Sequence, residues 1–265
     1  MFDTEFFNLG YLDRLSYQDT LIHRIDPRIK LFSAASFIVA VISFPKYSIS
    51  GLFPFFLFPI LFIALGDIPV RLILKKVLVV SPFALFVGIF NPLFDSRPAL
   101  EVPGFTVSCG WVSFASIMLK FTLAISTALL LIATTSFPGI CFALQKLRIP
   151  KAFVAQLLFL YRYIIVLMEE TMKIIRARDM RSFGKRGNEM KHFVPLISVL
   201  FIRTVDRAER VYHAMLARGF NGKIYSARSY ALTMADMLFI FTSIGLILLF
   251  RVVNLSKLIG RWTTG

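Results

Sequence analysis

Two short arginine motifs are the residues of this chain best suited to chemistry, and the chemistry they suit is recognition. The motifs are Ala217-Arg218-Gly219 and an upstream near copy, Ala177-Arg178-Asp179, each near the C-terminal end of a predicted helix. An alanine lets the helix end approach another backbone closely, and a guanidinium group donates hydrogen bonds to carboxylates or carbonyls in a partner's groove. Solvated charge favoured by the helix dipole is the simpler interpretation of either arginine alone. The repetition favours a docking element with two receptors of the same kind.

The adjacent pair Glu169-Glu170 raises an enzymatic alternative, an intramembrane metalloprotease. Such an enzyme needs histidine ligands at membrane depth to hold its metal ion. His23, His192 and His213 are far apart in the sequence, and none lies in a predicted membrane span. No HxxH or CxxC spacing occurs. We therefore predict no metal site and no catalytic residue in this chain.

An ATP-hydrolysing site is also absent from the pattern of the sequence. A P-loop reads GxxxxGK[ST], and its last residue carries a hydroxyl group. The stretch around Gly222-Lys223 has Ile224 at the hydroxyl position and Ala217 at the position of the first glycine. The chain is thus predicted to bind no cofactor of its own.

The composition places the chain in a lipid bilayer. Of its 265 residues, 57% are apolar and 17% are charged, and the mean hydropathy is +0.73. These values lie outside the range of soluble domains. The formal charge of +15 would suggest nucleic acid binding in a soluble protein, but no aromatic-basic recognition module accompanies it. Cytoplasmic loops of membrane proteins collect Lys and Arg, so the charge predicts no nucleic acid partner.

Five apolar runs are candidates for membrane-spanning helices. They cover about 29–44, 49–65, 77–94, 112–137 and 234–253. Helices are expected because a chain in lipid must satisfy every backbone N–H and C=O internally. The alternating pattern of a barrel strand is absent. The sequence predicts an all-α membrane protein with about five transmembrane helices, six being possible.

The distribution of charge predicts the orientation. The loop between the second and third runs carries Arg71, Lys75 and Lys76, whereas the loop at 95–110 has one arginine against two acidic residues. By the positive-inside rule the first loop is cytoplasmic and the second is outside. The N-terminus is then cytoplasmic. The predicted domains are the first four spans at 1–137, a cytoplasmic domain at 138–232 and the last span at 233–265.

Residues 152–168 and 192–202 are apolar enough to suggest further spans. Gln156 and Arg162 interrupt the first stretch, and an Arg near the centre of a lipid-facing helix costs at least about 2.5 kcal/mol. The second stretch is only about ten residues long, too short to span. The prediction is two long amphipathic helices that lie along the inner membrane face and extend into the cytoplasm.

Both predicted helices have recognisable ends and faces. Two pairs of opposite charge are spaced four residues apart, Glu169 with Lys173 and Asp206 with Arg210. Gly184 and Gly187 are suitable stops for the first helix, and Gly219 is placed to leave the second helix in a left-handed conformation. An apolar stripe at helical spacing comprises Val205, Ala208, Tyr212 and Met215.

The segment HRIDPRIK precedes the first span. Pro27 stands where a helix could begin, because its missing N–H is not needed there. Arg24, Arg28 and Lys30 are predicted to contact anionic lipid headgroups, which makes the segment an anchor on the inner membrane face.

Three stretches make the sequence similar to a known family. They are LDRLSYQDTLIHRIDPRIKLF at 12–32, LQKLRIPKAFVAQLLFLYRYIIVLMEETMKIIRARDMR at 144–181 and DRAERVYHAMLARGFNG at 206–222. The chain resembles the transmembrane T component of energy-coupling factor transporters, a branch of the ATP-binding-cassette importers. It is most similar to the cobalt/nickel type called CbiQ. The resemblance covers most of the chain, and its last two stretches are the most specific.

The resemblance implies a role for the arginine motifs. In that family two cytoplasmic coupling helices each end in Ala-Arg-Gly, which seats in a groove of one of two ATPase subunits. By position, the second motif is Ala217, Arg218 and Gly219, and the first is Ala177, Arg178 and Asp179. Asp179 departs from the glycine. Its carboxylate could partly neutralise Arg178 or pair with a basic group of the ATPase.

For the whole protein the resemblance implies the energy-coupling subunit of a cobalt or nickel importer in a bacterial or archaeal cytoplasmic membrane. Its partners would be two ATPase subunits, which bind ATP and magnesium, and a separate membrane subunit that holds the metal. Two alternatives stay open. One is a T component that serves vitamin-binding subunits, and the other is a membrane scaffold that binds a soluble partner without turnover.

Overall fold

The structure is a computed structural model that describes residues 15–47, 49–94, 98–102, 105–181, 189–221 and 232–252. The elements are α1 (Leu21–Arg24), α2 (Pro27–Ile42), a 3-10 helix (Ser50–Phe56), α3 (Leu57–Gly66), α4 (Val70–Gly88), α5 (Phe90–Phe94), β1 (Pro98–Val102), β2 (Phe105–Ser108), α6 (Cys109–Thr134), α7 (Phe137–Lys146), α8 (Lys151–Arg181), α9 (Glu189–Ala217) and α10 (Met234–Val252). The predicted helical membrane fold is confirmed. The 95–110 loop contains an antiparallel hairpin of β1 and β2 that the sequence pattern does not predict.

Four helices in the described part of the chain are long and apolar enough to cross a membrane. They are Val70–Pro92, Cys109–Thr134, Lys151–Arg181 and Met234–Arg251, and Ser50–Gly66 is a shorter apolar helix. The predicted span at 29–44 corresponds to α2, which has 16 residues and is therefore shorter than a usual span. Helix α8 meets the length and composition requirement although Gln156 and Arg162 interrupt it, so these criteria alone do not keep it out of the lipid.

The chain divides into two compact units. One comprises residues 7–143 and 229–265, here called the bundle unit, and the other comprises residues 1–6 and 144–228, here called the α8–α9 unit. The division falls within α7, between residues 143 and 144, and again before α10, between residues 228 and 229.

Phenylalanines form the centre of the bundle unit. The rings of Phe37 and Phe58 stack at 4.3 Å, and Phe55 packs edge-on against Phe250 at 5.7 Å. Phe37 lies on α2, Phe55 and Phe58 on the 3-10 helix and α3, and Phe250 on α10. Buried aromatic pairs in offset or edge-to-face geometry add to the energy of apolar burial. They therefore fix α2, α3 and α10 against one another.

Buried polar contacts join three helices at one end of the bundle unit. The Lys30 ammonium donates to the carbonyl of Thr134 at 2.8 Å, and the backbone N–H of Asp26 donates to Asp236 Oδ1 at 2.8 Å. Lys30 is 1% exposed, Asp26 2% and Asp236 3%. The start of α2, the end of α6 and the start of α10 therefore lie together.

A second set of contacts joins the same helices at the opposite end. The Lys120 ammonium on α6 donates to the carbonyl of Phe44, just after α2. Arg251, in the last turn of α10, donates to the hydroxyl of Ser43 at 3.0 Å and lies over the ring of Phe44. Helices α2 and α10 therefore run in the same direction, and α6 runs antiparallel to both.

The HRIDPRIK segment is only partly what the sequence predicts. Helix α2 does begin at Pro27, and the Asp26 carboxylate caps it by accepting from the backbone N–H of Arg28 at 2.8 Å. The headgroup role is wrong for Lys30, because its ammonium is buried against a carbonyl of α6. A buried ammonium needs a hydrogen-bond acceptor, and the last turn of α6 offers carbonyls without helical partners. Arg24 pairs with Asp19 at 2.9 Å.

Candidate functional site

Arg218 lies at a sharply defined helix end. Helix α9 ends at Ala217, and the N–H of Gly219 donates to the Leu216 carbonyl at 2.9 Å while that of Phe220 donates to the Met215 carbonyl at 3.0 Å. Gly219 has φ +78°. These bonds form a Schellman motif, with Gly219 at the left-handed position and Arg218 at the C-cap. The predicted left-handed exit at Gly219 is confirmed.

The side chain of Arg218 is exposed at this end, as are those of the two preceding residues. The chain turns away immediately after Arg218, because a left-handed residue reverses its direction. A guanidinium group at such a corner can enter a groove without the helix continuing beside it. The orientation of the α9 carbonyls also favours a cation at this place.

Arg178 has different surroundings. Helix α8 continues through Asp179 to Arg181, so Arg178 lies within the last turn and is only half-exposed. The positive-φ positions among the described residues are Asp67, Arg148 and Gly219, so Asp179 does not take the left-handed conformation. The predicted stops Gly184 and Gly187 lie outside the described residues. The two arginine motifs are therefore not equivalent in local geometry.

Helices α8 and α9 meet at an ion pair. Arg203 Nη1 lies 2.9 Å from Glu170 Oε1, and Lys173 Nζ lies 4.0 Å from Glu170 Oε2. The spacing of the sequence predicts a pair between Glu169 and Lys173, whereas the structure places the lysine next to Glu170. The 2.9 Å contact places the crossing of the two helices well before either arginine motif.

A crevice follows this crossing. It has a volume of about 290 Å³, and its walls are Val166, Leu167, Glu170, Arg203, Thr204, Asp206, Arg207 and Arg210. The predicted partners Asp206 and Arg210 both line it. From the crossing, Arg178 is about 12 Å along α8 and Arg218 about 22 Å along α9, at about 1.5 Å of rise per residue. Arg218 therefore lies farther from the crossing than Arg178 does.

Most of the apolar stripe of α9 is left uncovered by the described residues of its own unit. The side chains of Val205, Ala208 and Tyr212 are exposed, and Met215 is half-buried. An apolar helix face is normally covered by another element. The α8–α9 unit therefore carries unburied apolar surface in addition to its charged helix ends.

The candidate catalytic and metal-binding residues have structural surroundings. Glu170 is held by Arg203 and Lys173. The ring nitrogens of His23 contact Thr20 Oγ1 at 2.7 Å and the Ala133 carbonyl at 3.4 Å, and burial lowers the pKa of the imidazole. The described residues contain no group of three or more metal-ligating side chains.

Comparison with known proteins settles the family. Residues 18–230 match the family model described as CbiQ, cobalt transport protein. The chain belongs to the CbiQ family. It is also 30% identical to the energy-coupling factor transporter transmembrane protein EcfT of Bacillus subtilis, over 77% of this chain and 82% of that protein.

Two archaeal proteins are similar to this CbiQ family member. An uncharacterized protein of Methanocaldococcus jannaschii is 29% identical over 84% of this chain and 80% of its own length. A putative fused cobalt transport protein CbiMQ of Methanocorpusculum labreanum is 34% identical over 44% of this chain and 20% of its own length. This CbiQ family member is therefore a multi-pass membrane protein and the T component of an energy-coupling factor transporter.

Proposed function

We propose that this T component couples ATP-driven motion of two ATPase subunits to a separate substrate-binding membrane subunit. The observation that carries the proposal is the Schellman end of α9, where Arg218 is exposed at the corner of a charged helix. Ala217, Arg218 and Gly219 enter a groove of one ATPase, and Ala177, Arg178 and Asp179 contact the other. The arginines supply attachment, and ATP and magnesium are bound by the ATPases.

The motion passes along α8 and α9, which cross each other at the Glu170–Arg203 pair. ATP binding brings the ATPases together, and their grooves draw the two helix ends with them. The Glu170–Arg203 pair holds the helices at their crossing, so the approach of the ends becomes a tilt of the apolar faces. Small displacements between packed helices are a common form of such transmission.

Cobalt or nickel is the proposed substrate class. The description of the family model and the name of the fused CbiMQ relative favour a transition metal over a vitamin. The metal is held by the partner membrane subunit and enters this proposal only as cargo. ATP-dependent uptake of Co²⁺ or Ni²⁺ by the reconstituted complex supports this class, and uptake of biotin or thiamine instead would contradict it.

The attachment is tested by Arg218→Glu in a complex purified through a tag on this chain. Reversing the charge leaves a carboxylate facing the acceptors of the groove, which costs several kcal/mol in a desolvated contact. We expect the ATPase that co-purifies to fall at least about ten-fold and uptake to be lost. Arg178→Glu acts in the same direction but less, because Arg178 is not at a helix corner.

Lys151→Glu is the matched control. It makes the same change of charge at the exposed first residue of α8, where a carboxylate is favoured by the helix dipole. The control should keep both co-purification and uptake. Survival of both in Arg218→Glu would show that this end does not attach the ATPase.

A further inference from the structure

The segment Asp26–Lys30 touches the places where the chain leaves and re-enters the bundle unit. Its first contact is with the re-entry point. The backbone N–H of Asp26 donates to Asp236 Oδ1, and Asp236 Oδ2 accepts from the backbone N–H of Thr233 at 2.8 Å. One buried carboxylate thus caps the start of α10 and binds the start of α2.

Three further contacts of the segment are with the exit point. Lys30 holds the carbonyl of Thr134, the last residue of α6. A Cβ added at Gly139 would lie 3.3 Å from Pro27 Cγ, so the first turn of α7 packs directly on the proline ring. The Arg28 guanidinium lies 4.8 Å from the centre of the Phe142 ring, also on α7.

These contacts connect the segment to parts of the chain that are 104 and 210 residues away. Residues 134–142 lead into the α8–α9 unit, and residues 233–236 return from it. A stretch of five residues therefore fastens both ends of the segment that carries the arginine motifs. The contacts are directional hydrogen bonds and close packing. The Lys30 ammonium and both oxygens of the Asp236 carboxylate have hydrogen-bond partners, whereas Asp26 Oδ2 and Arg28 Nε have none among the described residues.

The stretch between residues 142 and 233, which carries both arginine motifs, is here called the coupling segment. We propose that Asp26, Lys30 and Asp236 are positioning residues that form a rigid anchor for both of its ends. The proposal rests on the coupling function above and assigns the fixed end against which that motion acts. Helices that are pulled at their far ends transmit the displacement only if their near ends are held. Without the anchor the two connections move, and ATP hydrolysis continues without transport.

The first test is Lys30→Met in the complete complex reconstituted in liposomes, assayed for ATP hydrolysis and for uptake of radioactive Co²⁺. Methionine keeps the apolar stem and removes the ammonium. We expect the ATPases to stay bound and the uptake per ATP hydrolysed to fall at least about five-fold, the lower range of coupling between sites. Asp236→Asn is the second variant, because an amide has one acceptor oxygen where the carboxylate uses two.

Lys120→Met is the matched control. Lys120 also donates to a carbonyl near a helix end, at the opposite end of the bundle unit. Its loss should leave uptake per ATP unchanged. An equal fall in Lys120→Met would mean a general loss of packing, and an unchanged ratio in Lys30→Met and Asp236→Asn would overturn the anchor. Loss of the bound ATPases in these variants would also overturn it.

A measurement on the chain alone separates this inference from the proposed function. Spin labels on Pro138→Cys and Leu232→Cys, with Cys109 and Cys141 replaced by serine, report the distance between the two connections. We expect a narrow distribution that broadens in Lys30→Met and not in Lys120→Met. If uptake by the unmodified complex fails while this broadening is seen, the anchor stands and the coupling function does not. The same width in all chains would rule out the anchor.

Discussion

At the scale of single residues, three of the described helices are followed by a residue in the left-handed conformation, and this residue is a different amino acid in each case. Asp67 after α3, Arg148 after α7 and Gly219 after α9 all have positive φ. In each case the next N–H bonds to a carbonyl five residues back, from Ile68 to Ile63, Ile149 to Leu144 and Phe220 to Met215. Glycine alone takes this conformation without a steric cost. The left-handed conformation therefore has a steric cost at Asp67 and Arg148 and none at Gly219.

Gly219→Ala and Arg148→Gly should change stability in opposite directions. A Cβ at Gly219 would meet no atom of the described residues within 4 Å, so the expected cost is conformational, about 1 kcal/mol. Arg148→Gly relieves the same strain and should stabilise the chain by up to about 1 kcal/mol. Thermal unfolding in detergent measures both changes. An unchanged stability of Gly219→Ala would mean that the α9 end refolds around the alanine.

The left-handed exit of α9 at Gly219 could be predicted from the sequence, because glycine directly after an amphipathic helix is favoured at this position. The difference at the first motif could not be read so directly. A residue such as Asp179 is compatible with a helix, and only the fold shows that α8 continues through it. Lys30 is the reverse case. A basic residue next to a membrane span suggests a headgroup contact, whereas its burial depends on a carbonyl more than a hundred residues away.

At the scale of elements, α8 and α9 are long helices that meet at the ion pair of Glu170 with Arg203. Glu170 is the common partner of Arg203 and Lys173, and its side chain is 27% exposed against 58% for Arg203. Partly exposed ion pairs contribute little, typically below about 1 kcal/mol. The Glu170–Arg203 pair by itself is therefore expected to add little to the stability of the crossing.

Removing Glu170 should therefore cost more than removing Arg203. Glu170→Ala loses both partners, while Arg203→Ala leaves the contact with Lys173. We expect each loss to stay below about 1 kcal/mol and the coupling energy of the double mutant to decrease as salt is added. Equilibrium unfolding of the full chain in mixed micelles measures the cycle. Equal effects of the two single variants would contradict a shared role of Glu170.

The apolar periodicity of the sequence predicts the helices of the bundle unit, with boundaries a few residues off. It does not predict the hairpin at 98–108, because the short strands of a loop have no apolar face that repeats. It also leaves the membrane placement of α8 open. Arg162 argues against a lipid-facing helix, while the length and hydropathy of the helix satisfy the requirement for a span.

At the scale of the whole molecule, the positions of two helix termini in the bundle unit restrict the path of the chain between them. The end of α6 and the start of α10 lie at the same end, joined through Lys30, Asp26 and Asp236. The intervening chain must cross the membrane an even number of times. If α8 crossed, α9 would have to return, with Arg203, Asp206, Arg207, Glu209 and Arg210 in its path. Such a row of charges is costly in lipid, which favours no crossing.

Cysteine labelling tests this topology. With the native cysteines replaced, Arg218→Cys and Arg71→Cys should react with a membrane-impermeant maleimide only after the cells are permeabilised. Glu101→Cys, in the loop predicted to lie outside, should react in intact cells. The positive-inside rule and the even number of crossings give this pattern together. Reaction of Arg218→Cys in intact cells would remove the helix ends from the side where ATP is found.

The end of α6 and the start of α10 are neighbours. In terms of chain connectivity, the coupling segment is therefore equivalent to a long loop between two neighbouring helix termini. The entropy needed to close a loop grows slowly, by about 0.6 kcal/mol for each doubling of its length. Sites of this kind tolerate inserted domains. We therefore expect a corresponding segment from a relative to be accepted between residues 142 and 233, where the contacts of Asp26–Lys30 are kept, without reversing the direction of any helix in the bundle unit. If the helix ends attach the ATPases as proposed, the graft exchanges ATPase preference independently of the membrane part.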